Sequence, residues 1–84
     1  MTRFLVLAMR TADFDPAQAE AHHEFLAALR DAGVLEMTGP FGDGSGGAYL
    51  LQAQDLATAT DIAHADPLHT SGSSSLTVYE WDAS

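Results

Sequence analysis

Two residues in this chain of 84 are of the types that proton-transfer chemistry needs: His22, an imidazole inside a helical pattern, and Asp66, a carboxylate ahead of a proline. His22 precedes Phe25, Leu26 and Leu29 by three, four and seven residues, so helical geometry turns it inward with the apolar stripe. A buried imidazole without a partner costs about 1–3 kcal/mol, so a polar group must meet it there. Asp66, near the end of a second helical pattern, is the candidate. A carboxylate on one imidazole nitrogen fixes the tautomer and raises the basicity of the other, which makes a general base suited to neutral pH. Each residue also has a structural reading. His22 suits a core histidine satisfied by any polar neighbour, and Asp66-Pro67 with Gly72 suits an N-capped helical turn. The readings are compatible, because one carboxylate has several acceptor sites.

Other chemistries find less support. The chain has no cysteine, which removes disulfides, thiolate ligands and thiol nucleophiles together. Gly42, Gly44 and Gly47 match G-x-G-x-x-G in form, but the run that follows from Ala48 reads as a strand where a dinucleotide site needs a helix. His23 lies about a hundred degrees around the helix from His22, on the flank with Ala27 and Arg30. His64 and His69 flank a proline turn without metal-ligand spacing and read as exposed polar residues, so no metal site is expected. Ser71, Ser73, Ser74 and Ser75 lack the setting of a nucleophile and read as a polar connector. Tyr79 and Trp81 share one face of the last strand with Thr77, and core or interface packing is their expected role.

The elements that must position His22 and Asp66 follow from periodicity. Phe4 to Met9 is an apolar run suited to a central strand covered on both faces. Asp15 is placed as an N-cap, with Pro16 at the first helical position and Gln18 completing a capping box; the helix ends near Arg30 to Ala32 at Gly33. Val34 to Thr38 reads as a second strand closed by Gly39-Pro40, and Ala48 to Ala53 as a third, with a flexible glycine-rich hairpin between them. Asp55 caps a shorter helix carrying Leu56, Ala59, Ile62 and Ala63, and Leu76 to Trp81 alternates as a last strand. The order β-α-β-β-α-β predicts a ferredoxin-like α+β fold: a four-stranded antiparallel sheet with two helices on one face.

Composition bounds the rest. A chain of 84 residues that is 46% hydrophobic and 18% charged predicts one globular, soluble, cytoplasmic domain over residues 1–84, with no membrane-spanning run. Three basic residues against twelve acidic give a net charge of −9, which excludes nucleic acid and anionic membrane as natural partners. The sheet face without helices carries apolar side chains from the first and third strands, a patch larger than monomers usually leave wet. A homodimer joined through that face is expected, each covered Leu or Val contributing roughly 1.5–3 kcal/mol.

Three segments taken together resemble the YCII-related (YciI-like) proteins: Ala21-His22-His23-Glu24-Phe25-Leu26, Gly33 through Thr38-Gly39-Pro40-Phe41, and Ala65-Asp66-Pro67-Leu68 with Gly72. The resemblance implies a dimeric α/β-barrel type of association and places His22 and Asp66 at the family's characteristic His and Asp. It further implies a cofactor-independent enzyme of the lyase, dehydrohalogenase or isomerase kind, acting on a small molecule without metal. His22 then moves a proton, Asp66 orients it, and Thr38 offers a hydroxyl beside the substrate. Members often carry Arg-Pro before the helical His, where this chain has Ala19 and Glu20, so an anion contact from that arginine is not implied here. An aromatic after Asp-Pro is also common, and this chain has Leu68. Two alternatives stand beside this reading: a non-catalytic binding or accessory module, and a cofactor-free monooxygenase acting on phenolic rings. Contact between His22 and Asp66 beside an open cavity favours catalysis, and a sealed, dry contact favours a structural role.

Overall fold

The structure, a computed structural model, describes residues 2–84. β1 (Thr2–Arg10) leads through a single 3-10 turn at Pro16–Gln18 into α1 (Ala19–Asp31). β2 (Leu35–Pro40) and β3 (Gly46–Leu51) follow, then α2 (Leu56–His64), a short α3 (Pro67–Thr70) and β4 (Ser74–Asp82). The strands form one antiparallel sheet in the order β2-β3-β1-β4. With the helices on one face, this is the ferredoxin-like arrangement the element order predicts.

Several boundaries differ from expectation for local reasons. Asp15 caps as expected, accepting from the Ala17 amide at 3.0 Å, but the Gln18 amide bonds the Asp15 carbonyl three residues back at 3.0 Å. That tight spacing makes the first turn 3-10, defers the α-helix to Ala19, and leaves Gln18 without a side-chain cap bond. Gly39-Pro40 was expected to close β2, yet the strand includes both residues. β2 is an edge strand, where the missing proline amide removes nothing from the ladder. Ser73 to Ser75 is not a solvated connector: Ser73 and Ser74 are buried and β4 begins at Ser74. The glycine-rich segment is a tight hairpin, with the Phe41 amide bonded to the Gly46 carbonyl at 2.8 Å. Gly46 is required there, because a Cβ would stand 2.1 Å from the Ala8 carbonyl oxygen across the strand pair.

Alternation sorts the sheet into two faces. Towards the helices point Phe4, Val6, Ala8, Leu35, Tyr49, Leu51 and Leu76, which bury with Leu26, Ala59, Ala63 and Leu68 as one core. The opposite face carries Leu5 beside Leu50 and Tyr79, Arg3 beside Trp81, and Met37 beside Leu50. There Trp81 is 46% exposed, Tyr79 51% and Met37 62%. A bulge between Leu35 and Met37 lets β2 bury Leu35 inward while Met37 turns out. No helix among the described residues is long and apolar enough to cross a membrane.

Candidate active site

The site lies at the end of the sheet where β1 and β3 meet α1 and α3. α1 presents Leu26 as a buried anchor, with Phe25 and Leu29 packed against the core beside it. Helical spacing then sets His22 one turn earlier on the same face, its side chain only 16% exposed. Asp66 begins α3 in an extended conformation ahead of Pro67 and is completely buried. The two meet: His22 Nδ1 lies 2.9 Å from Asp66 Oδ1 and 3.0 Å from Oδ2.

Asp66 gathers further donors. The Leu68 amide donates to Oδ1 at 2.9 Å, so the expected capping role is present beside the contact with His22. Tyr49, buried on β3, donates its hydroxyl to Oδ2 at 3.0 Å. Burial, and then the charge of Asp66, push the Tyr49 phenol well above its ordinary range, so it stays protonated and donating. A carboxylate oxygen accepts, so this contact places a proton on Nδ1, and in the neutral form of an imidazole held that way the lone pair is the one on Nε2.

Beside this cluster opens a cavity of about 300 Å³. Ala8, Leu26 and Leu68 form apolar wall; His22, Tyr49 and Thr38 bring polar atoms to it. Thr38 lies on the cavity wall, and its hydroxyl donates to the Ala48 carbonyl at 3.3 Å, which leaves the oxygen able to accept. His23, read as turned to the flank, also lines the cavity, its ring 5.7 Å from that of His22. The segment after β1, which brings Phe14 to the cavity wall, is tied down by the buried Ser73. The Thr11 amide donates to the Ser73 carbonyl at 3.0 Å and the Asp15 amide to Ser73 Oγ at 3.2 Å. His64 and His69 do not join the site; their rings stack on each other at 4.2 Å, with His64 exposed and His69 half-buried. No group of three or more potential metal ligands occurs among the described residues.

A family profile for the YCII-related domain matches residues 3–82. The chain belongs to the YCII-related family. Within it, the Bacillus subtilis (strain 168) protein YjpA, itself uncharacterized, is 48% identical over 81 residues, covering 96% of this chain and 95% of that one. A similar solved structure is 5-chloro-2-hydroxyhydroquinone dehydrochlorinase, TftG, from Burkholderia phenoliruptrix AC1100, in complex with 2,5-dihydroxybenzoquinone. It superposes with a TM-score of 0.78 over 98% of this chain and 95% of its own, at 17% identity, a likeness of fold.

In this YCII-related protein the residue that sequence reasoning missed is Tyr49. It stands in the apolar run Ala48 to Leu51 and reads as strand filling. Its signal was chemical: a tyrosine buried in a strand must give its hydroxyl a partner, and the group it meets is the buried carboxylate of Asp66. Ser73 reads locally as part of a polar connector, and its burial is visible only when β4 is paired with β1.

Proposed function

We propose that the chain is a small-molecule enzyme working by proton transfer without a cofactor, of the lyase, dehydrohalogenase or isomerase kind, with His22 as base. The observation that carries this reading is the contact of His22 Nδ1 with a fully buried carboxylate at 2.9 Å, on the wall of an open cavity. That arrangement holds the imidazole in one tautomer with Nε2 available to a ligand, which is what a positioned base requires. It favours catalysis over a purely accessory module, whose histidine would need no such access. In an elimination, Nε2 takes a proton from carbon, the C–H electron pair becomes the new π bond, and the leaving group departs with its own pair. Asp66 stabilises the imidazolium that forms, and Tyr49 and the Leu68 amide hold Asp66 in place. In an isomerisation the same proton returns to a different carbon. The similar fold is that of a 5-chloro-2-hydroxyhydroquinone dehydrochlorinase, which makes hydroxylated, halogenated rings the first compounds to test.

The test is proton NMR in D2O with 5-chloro-2-hydroxyhydroquinone and a series of α-halogenated cyclic ketones. Chloride release or deuterium uptake at carbon, dependent on the protein, is the expected result. Neither process above the buffer rate across the series would withdraw the enzymatic reading in favour of a binding module. Oxygen consumption followed in the same samples separates proton transfer from the monooxygenase alternative.

The unit that works is proposed to be a homodimer formed through the helix-free sheet face. Supporting it are the exposed Met37, Tyr79 and Trp81 on that face, and Arg3 beside them. Arg3 Nε is paired with Glu36 at 2.5 Å, while its Nη1 is buried without an acceptor, a donor that a partner surface would satisfy. Sedimentation at micromolar concentration is expected to give twice the chain mass. Trp81→Glu, which puts a charge at the centre of the aromatic pair, is expected to give the chain mass. A wild-type monomer under those conditions would remove the dimer.

A further inference from the structure

The cavity wall differs in charge from the rest of the molecule. The chain carries twelve acidic residues, three arginines and no lysine. No aspartate or glutamate is among the residues lining the cavity, and the carboxylate nearest the chemistry, Asp66, is sealed behind His22 and Tyr49. One cation does line it: Arg10, the last residue of β1. The other two arginines lie away from it, Arg3 paired with Glu36 and Arg30 in the last turn of α1.

Arg10 is held for use and left unspent. Its register partner across the strand pair is Ser74, and like Ala8 and Val6 it projects towards the helices, the side on which His22 stands. Its guanidinium carbon lies 4.2 Å from the centre of the Phe14 ring, a cation–π contact that consumes none of the N–H donors in hydrogen bonds. Phe14 itself sits on the segment anchored to the buried Ser73, so the stack has a fixed base. Arg10 forms no ion pair with any described carboxylate and its side chain is exposed. A chain of net charge −9 repels anions in general. An unpaired guanidinium facing a cavity without carboxylates is the place where that repulsion is locally reversed.

We propose that Arg10 is the specificity residue of the cavity and that the substrate carries a planar oxyanion, a carboxylate or an ionised phenol or enol, which the free edge of the guanidinium receives while the rest of the molecule lies on the apolar wall. The inference deepens the proton-transfer reading, on which it rests for treating the cavity as a substrate site. It also gives that chemistry a direction: an anionic oxygen fixed at Arg10 orients the ring whose carbon faces Nε2.

The experiment compares benzoate with its neutral counterpart benzamide, titrated into the intact protein at low salt and followed by the NMR signals of the Arg10 Nε–H and the His22 ring. Wild type is expected to prefer benzoate by roughly tenfold or more. Arg10→Met is expected to erase that preference, and Arg10→Lys to keep the charge but only part of the preference, since it lacks the planar fork. Phe14→Leu, which removes the stack and retains the cation, is expected to weaken it less than Arg10→Met does. A wild type that does not distinguish the two compounds, or an Arg10→Met protein that still does, overturns the proposal. His22→Gln is expected to retain the benzoate preference. The binding result is thus independent of turnover, and a failed enzymatic reading would show in the deuterium assay with the anion preference intact.

Discussion

Asp66→Ala is expected to lose about 3–9 kcal/mol of folding stability, because three donors lose their acceptor together and each orphaned group costs about 1–3 kcal/mol. Those donors are His22 Nδ1–H, the Tyr49 hydroxyl and the Leu68 amide, the last two inside the core. At roughly 0.05–0.15 kcal/mol per residue a domain of this size has only about 4–13 kcal/mol in all, so the variant stands near its unfolding limit. Urea denaturation at fixed protein concentration, fixed because association also stabilises, should show the midpoint falling by more than about 1 M. Tyr49→Phe removes one donor without orphaning the carboxylate and should cost about 1 kcal/mol. Asp66→Asn separates stability from chemistry. The amide nearly preserves shape, but its NH2 group donates to the ring nitrogen it faces, which moves the imidazole proton to Nε2 and blocks the base. In a Ser-His-Asp site the same replacement costs about 10⁴-fold in turnover with the geometry kept, and a loss of about 10³–10⁴-fold is expected here. An Asp66→Ala protein within about 1 kcal/mol of wild type would show that the cluster does not hold this end of the fold together.

The parts of this arrangement that could be read before folding are those set by spacing along one element. His22 was placed inward by Phe25, Leu26 and Leu29, and the antiparallel sheet by the order of apolar runs; both stand in the structure. Asp66 was legible as a cap, and as a partner of His22 only through the expectation that two helices share a sheet face. Tyr49 and Arg10 were not legible as site residues, because each owes its place to strand pairing between distant segments. Val6 lies beside Tyr49, and Arg10 beside Ser74, across registers that no local pattern specifies. The same holds for the strand ends. Pro40 belongs to β2 because that strand is at the edge, a property of the whole sheet. Ser74 belongs to β4 because β1 extends to Arg10 beside it. Local chemistry announces caps and faces, whereas edges, registers and what a buried hydroxyl meets belong to the assembled sheet.

His22→Gln carries the sharpest consequence for chemistry, since it is expected to leave the fold in place and remove the base. The glutamine side-chain amide can still donate to Asp66, so the buried carboxylate keeps a partner. The stability change is expected to stay within about 1–2 kcal/mol. The lost lone pair at Nε2 has no replacement: an amide nitrogen is not basic, and no other side chain on the cavity wall is both basic and held by a carboxylate. Turnover in the deuterium or chloride assay is expected to fall by about 10²–10⁴-fold, the range a positioned base contributes. His23, which shares the cavity, lies 5.7 Å away by ring centres and has no such orienting partner, so His23→Gln is expected to change turnover far less. His22→Gly adds a positive test. It opens space against Asp66 that imidazole supplied in solution can enter, and partial recovery of turnover in proportion to imidazole would identify the ring itself as the proton acceptor. Equal turnover in wild type and His22→Gln would leave the contact with Asp66 as a buried polar joint between α1 and α3 and move the base elsewhere on the wall.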